Sequence, residues 1–265
     1  MYSNILDSRL AFVATQAALE AGHLLRRGFG TDFTISSKAN ILDLVTEYDK
    51  AAEELIIKRV KTHFPDHAFL GEESGVTLGK NSNAITWVID PLDGTMNFAH
   101  QIPLFAVSIA IQVNNQVELG IVYHPMGDEF FIAQRGCGAY LNGTRLKVSD
   151  ITDLQQAVGA TLIPYGSGPN REYNIHQFLG FTSIGNPIRI IGSAALALAY
   201  VAAGRFDAFW ATNLRPWDVA ACQLLIEEAG GRITTCAGDI HDIYAESSIL
   251  ATNKHLHEHV LSILK

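Results

Sequence analysis

The sequence predicts a mixed α/β fold, and three observations carry that reading. Between residues 105 and 141, short apolar runs alternate loosely around the tight-turn dipeptides Asn114-Asn115 and Asn142-Gly143, the pattern of an antiparallel meander. After residue 150, strand-like runs alternate with helix-like runs, which suggests a mixed α/β layer packed on the first half. An apolar content of 48% over 265 residues supplies a large core, and no stretch rich in proline, glycine or serine divides the chain. The expectation is one domain over 1–265, with an N-terminal α+β half of about 1–150 and a C-terminal α/β half of about 151–265.

Residues 4–27 read as an amphipathic helix, with Leu6, Leu10, Val13, Ala17, Ala21 and Leu24 at spacings of three and four, stopped by Gly28-Phe29-Gly30. The stretch 33–42 alternates irregularly and carries Lys38 in an exposed loop or hairpin turn. A second helix is expected over 46–63, opened by Thr46 as N-cap with Asp49 three residues on, an acidic variant of the capping box. On that pattern alone Asp49 is a cap. Ala68-Phe69-Leu70 is a short strand running into Gly71-Glu72-Glu73-Ser74-Gly75. Trp87-Val88-Ile89 is another, running into Asp90-Pro91-Leu92-Asp93-Gly94-Thr95. Two strands ending in acids can converge on one cation.

After the meander, residues 147–153 read as a connector. Strands are then expected at 157–163, 188–191, 208–210, 232–234 and 248–251. Helices are expected at 171–179, 192–203, 217–229 and from about 254. The most apolar stretch, 190–204, is too short to span a bilayer and contains glycine, serine and tyrosine.

Charge and cysteine usage narrow the function. A net charge of −8 argues against a nucleic-acid surface, which would normally be basic. An acidic chain acting on an anion must neutralise it locally, which metal ions do. Cys137, Cys222 and Cys236 form no C-x-x-C pair, which points to a reducing compartment and against zinc. The N-terminus carries Asp7 and Arg9 and no continuous apolar segment, so the expected location is cytoplasmic, without membrane attachment.

The residues with chemistry to offer are the carboxylates Glu72, Glu73, Asp90, Asp93 and Asp218, with Asp49 outside them. Hard oxygen ligands without cysteine or a nearby histidine select Mg²⁺ or a similar ion. Taken singly, Asp218 is a first-turn acid after Pro216-Trp217, favourable with the helix dipole. Gly94-Thr95 before a helical stretch can form an anion nest. The spacing of Asp90 and Asp93 excludes the acid-x-acid-Gly-Thr phosphatases, and Pro91 and Leu92 exclude an EF-hand loop. Ser193 lacks a nucleophile-elbow context, and His255 with His259 on a terminal helix reads as a surface cluster.

Together, Gly71-Glu72-Glu73-Ser74, the stretch 87–98, Gly192-Ser193-Ala194-Ala195 and Trp217-Asp218-Val219-Ala220 resemble the inositol monophosphatase family over nearly the whole chain. The resemblance implies a five-layered α/β/α/β/α sandwich shared with fructose-1,6-bisphosphatases, a homodimer, and lithium-sensitive, Mg²⁺-dependent hydrolysis of a small phosphorylated metabolite. By position it implies Glu72, Asp90 and the Leu92 carbonyl at a first Mg²⁺, Asp90, Asp93 and Asp218 at a second, and a weaker third beside Glu72. Thr95 and Asp49 would orient and deprotonate the attacking water. Asp93, Gly94, Thr95, Gly192, Ser193 and Ala194 would hold phosphate and substrate, Lys38 would sit on a closing loop, and Glu73 would support the ligands from behind. Inositol 1-phosphate is the family's substrate, but Ala211 stands where its members carry a ring-contacting glutamate. Histidinol phosphate, fructose 1,6-bisphosphate and a nucleotide 3′-phosphate are the alternatives. A regulatory or scaffold protein of the same fold is the reading from another class.

Overall fold

An eight-stranded sheet, a five-stranded sheet, a small two-stranded pair and three helical layers make up the described residues, 7–37, 44–79, 85–165, 167–245 and 248–264, seen in a computed structural model. The N-terminal part runs α1 (Ser8–Gly28), β1 (Ile35–Ser37), β2 (Leu44–Thr46), α2 (Glu47–His63), β3 (Ala68–Gly71), β4 (Gly75–Thr77) and β5 (Ile85–Asp93). It continues through α3 (Thr95–Ala99), β6 (Ala106–Val113), β7 (Gln116–His124), β8 (Glu129–Gln134), β9 (Gly138–Leu141) and β10 (Thr144–Arg145). The C-terminal part runs β11 (Gly159–Thr161), α4 (Pro169–Ser183), β12 (Ile188–Arg189), α5 (Ala194–Ala202) and β13 (Ala208–Ala211). It ends with α6 (Pro216–Glu228), β14 (Arg232–Thr234), β15 (Ile249–Thr252) and α7 (His257–Leu264).

The larger sheet has the order β10-β9-β8-β7-β6-β5-β3-β4, the smaller β12-β11-β13-β15-β14. From β5 to β10 the larger sheet is the antiparallel meander expected from the turn signals. Asn114 and Asn115 both adopt positive φ (52° and 63°), as do Asn142 and Gly143 (48° and 80°), which suits the right-handed twist of hairpin strands.

Strand pleating assigns the layers. On β5 and β6, Trp87, Ile89, Val107, Ile109 and Ile111 point into a core shared with α1 and α2. Val88, Ala106 and Ala110 on the same strands point the other way, into a core built around α5 and α6. The smaller sheet closes that core from beyond with Phe209 and Ala211, while its alternate residues Ala208 and Trp210 pack with α4 and α7. The order is therefore α1 and α2, sheet, α5 and α6, sheet, α4 and α7: the five-layered α/β sandwich. Gly120 on β7 permits the closest approach in the central layer, since a Cβ there would lie 2.5 Å from the Ala221 carbonyl oxygen of α6.

Several boundaries differ from expectation. Helix α1 starts at Ser8, with Asp7 accepting the Arg9 N–H. Helix α4 is longer than 171–179 because Pro169 occupies its first turn, where a missing N–H costs nothing. The last helix begins at His257, not near 254: Lys254 has φ +64° and His255 lies in the turn before it. His255 and His259 thus share no helix face. Lys38 lies outside the described residues. No described helix is long and apolar enough to cross a membrane.

Candidate metal centre

Asp90 and Asp93 are three residues apart, and in a regular strand they would point to opposite faces. The pairing of β5 with β6 instead shifts register between them. Pro91 has no N–H to give the ladder, so the strand bulges there, and bulges re-aim side chains. As a result one oxygen from each of Asp90, Asp93 and Asp218 lies within 4.8 Å of the others. Asp90 and Asp93 come from the larger sheet, and Asp218 from the first turn of α6.

Donors from the chain orient each acid. Asp93 accepts the Ser193 hydroxyl and the Ala194 and Ala195 N–H groups (3.1 and 2.8 Å) at the start of α5. Asp218 accepts the Arg215 N–H at 2.7 Å, and Asp90 the Leu92 N–H at 3.0 Å. Two helix N-termini thus face the negative charge, which they favour. Glu72, in the turn after β3, hydrogen-bonds the Asp90 side chain.

Burial and mutual repulsion set the electrostatics. Desolvation pushes Asp90 well above the ordinary carboxylate range, and Glu72, Asp93 and Asp218 add to it. Asp93 is raised by desolvation against the lowering effect of Ser193, Ala195 and Ala194. Asp218 is pushed up to about 8, by desolvation first and Asp93 next. Carboxylates this close stay ionised only with positive charge among them. Hard oxygen donors fit a divalent cation of the Mg²⁺ or Ca²⁺ kind. Cys222, one turn beyond Asp218, directs its thiol to the Ala195 carbonyl (3.5 Å).

Beside this cluster stands a second pair. The Thr95 hydroxyl contacts Asp49 Oδ1 at 2.8 Å and the Leu92 carbonyl at 3.0 Å. Asp49 Oδ2 meanwhile accepts the Thr46 N–H and hydroxyl (2.7 and 2.6 Å), completing the capping box of α2. Burial raises the Asp49 carboxyl to about 6, against the lowering effect of Thr46 and Thr95.

The cluster opens into a cleft of about 470 Å³ that Glu72, Gly94, Thr95, Gly192 and Asp218 help to line. Gly94 has φ +97° with the Leu104 carbonyl 3.0 Å from a Cβ, so only glycine suits the turn into α3. Ser193 and Ala194 are buried and face Asp93. Ala211 is fully buried, whereas Thr212 and Asn213 beside it line the cleft. The Glu73 and Ser74 N–H groups bind Glu53 (3.0 and 2.7 Å), which is 2% exposed and holds the Glu72 turn.

Glu53 and Asn97 are site residues that sequence reasoning missed. Glu53 follows Asp49 by one turn on the same face of α2, a polar residue between buried Ala52 and Ile56, and that was its signal. Asn97 donates to the Leu104 and Ile191 carbonyls (2.6 and 2.7 Å), tying α3 to the Gly192 turn across 94 residues of chain, which no local pattern announces.

A sequence profile of the inositol monophosphatase family matches residues 6–265. The chain is 40% identical over 254 residues to the inositol-1-monophosphatase of Caulobacter vibrioides, spanning 94% of this chain and 98% of that relative. It is 42% identical over 242 residues to the Nus factor SuhB of Escherichia coli K12, spanning 91% and 90%. Among solved structures, the extragenic suppressor protein suhB from Bartonella henselae matches with a TM-score of 0.92 at 39% identity, covering 97% of this chain and 98% of that one.

Proposed function

The chain belongs to the inositol monophosphatase family, and from that premise we propose that it hydrolyses a small phosphomonoester with a divalent cation held by Glu72, Asp90, Asp93 and Asp218. The observation that carries this is the meeting of Asp90, Asp93 and Asp218 within 4.8 Å beside the Asp49–Thr95 pair. A cation bound there supplies positive charge for the phosphoryl group and lowers the pKa of water. Thr95 receives a hydrogen bond from the attacking water, and Asp49, poised near neutrality, takes the proton through it. Backbone N–H groups of the Gly94 turn hold phosphate oxygens in this reading. The same reading carries two Mg²⁺ ions with a weaker third, Leu92 contributing its carbonyl, lithium sensitivity and a homodimer.

Inositol 1-phosphate is the proposed substrate, with histidinol phosphate, fructose 1,6-bisphosphate and a nucleotide 3′-phosphate as competitors because Ala211 removes a ring partner. Phosphate release across these four, with Mg²⁺ and then added Li⁺, decides among them. Poor turnover of inositol 1-phosphate beside one fast alternative overturns the first choice. The catalytic reading itself is tested by Asp93→Asn. Asparagine keeps an acceptor for the Ser193 hydroxyl and the Ala195 N–H but turns its NH2 toward the Ala194 N–H, so folding is checked by circular dichroism. Turnover of the folded variant drops by more than the roughly 10–100-fold typical of groups that merely orient metal ligands. Retained turnover sinks the metal assignment. Relatives named Nus factor SuhB support a second reading, a regulatory protein of this fold, which gains if Asp93→Asn fully replaces the native chain in cells.

A further inference from the structure

A second cleft, of about 680 Å³, lies further along α6, where Gln112, Gln116, Arg135, Gln223, His241 and Tyr244 help to line it. Gln112 is its anomaly. It stands on β6 in the row of Ala106 and Ala110, which faces the helices of the central layer, where the pattern asks for another hydrophobe. It is 1% exposed and sits at a β-bulge against β7. The Tyr244 hydroxyl hydrogen-bonds its Oε1, and its Nε2 has no partner. Turning the amide over merely exchanges which atom is orphaned. A buried polar atom without a partner weakens a fold, so packing gives no reason for this one.

The surrounding groups say what would complete it. Arg135 is already neutralised by Glu227 (3.4 Å) and Glu118 (4.0 Å), and Asp242 adds negative charge, so nothing draws an anion in. His241 is 9% exposed, burial lowers its pKa against the opposing charge of Asp242, and its Nδ1 lies 3.2 Å from Gln223 Oε1. Gln223 spends its amide on Glu227 (Nε2, 3.0 Å) and His241, so the remaining carboxamides of the lining are Gln112, Asn115 and Gln116. Carboxamides present a donor and an acceptor side by side, which matches vicinal hydroxyls, each needing both. Tyr244, half exposed, adds a ring face for C–H groups. We propose that this cleft, built around the buried amide of Gln112, binds a neutral polyhydroxylated small molecule, a polyol or sugar.

The test is amide chemical-shift mapping on ¹⁵N-labelled protein in EDTA, so that no turnover intervenes, with myo-inositol, D-sorbitol, D-glucose and glucose 6-phosphate as probes. At least one neutral probe should shift Val117 and Ile243 saturably, with a Kd below about 10 mM, and independently of Thr95. Gln112→Met fills the same volume without the orphaned amide. It should raise Tm yet weaken that probe at least about tenfold, a pairing that a purely structural glutamine would not show. Tyr244→Ala removes the ring face together with the partner of Gln112 Oε1, so it should weaken binding similarly while Tm falls. The two variants move Tm in opposite directions, so a shared loss of binding is not a stability effect, and the second keeps the test alive if the first folds poorly. No saturable shift with any neutral probe, unchanged binding in either folded variant, or tighter binding of glucose 6-phosphate at Val117 and Ile243 overturns the proposal.

Discussion

Asp49 gives its two oxygens to different partners. Oδ2 closes the capping box with Thr46, and Oδ1 meets Thr95 across the site. Capping by Oδ2 therefore leaves Oδ1 to the Thr95 hydroxyl, the contact on which the proposed proton transfer rests. Asp49→Asn keeps an acceptor for the Thr46 N–H but abolishes the proposed base. It should cost no more than about 2 kcal/mol in urea unfolding, the upper range for losing a helix cap. It should lower kcat by about 10²–10⁴-fold, the usual worth of a general base. A variant with native kcat removes Asp49 from the mechanism. The Thr46-x-x-Asp49 spacing was legible because capping is local. The hydrogen bond from Thr95 was not, since it joins residues 46 apart through the fold of β5, and only the family resemblance proposed the pair.

Among elements, α7 shows how a single buried side chain ties a helix to a sheet. His257, in its first turn, is fully buried, with Nε2 at 2.9 Å from the Thr234 hydroxyl on β14 and Nδ1 at 2.8 Å from that of Thr252 on β15. Burial, helped by Arg232, lowers its pKa from 6.5 to about 4. The unfolded chain therefore takes up this proton first as pH falls. The contribution is complete above about 6.5 and is lost as pH drops toward about 4, a loss on the order of 3 kcal/mol. The raised carboxylates of the metal centre act in the opposite direction in both proteins. The gap in urea-unfolding free energy between the native chain and His257→Gln should therefore carry that slope, shrinking as pH falls from about 6.5 toward about 4; a gap that does not change with pH assigns it elsewhere. Helices and hairpins were readable here from periodicity and turn dipeptides. Their ends were not, because Lys254 at positive φ and Pro169 in a first turn shift boundaries without disturbing the apolar pattern.

For the whole molecule, the acidic cluster is also a seam. Asp90 and Asp93 belong to the larger sheet, Asp218 opens α6, and Asp93 is clasped by the start of α5. Without positive charge the three carboxylates repel across that seam and stay partly protonated, as their raised pKa values express. A cation binding only the folded arrangement should therefore stabilise the entire chain. At a hundredfold excess over Kd the gain is about 2.7 kcal/mol. For a chain of this size that corresponds to a Tm rise of roughly 5–10 °C. Mg²⁺ against EDTA at pH 7.5 measures it directly. Asp218→Asn removes one of the repelling charges, so its Tm in EDTA should equal or exceed the native value while most of the Mg²⁺-induced rise disappears. A native Tm indifferent to divalent cations, or a full rise in Asp218→Asn, would show that the three acids do not act together on a metal.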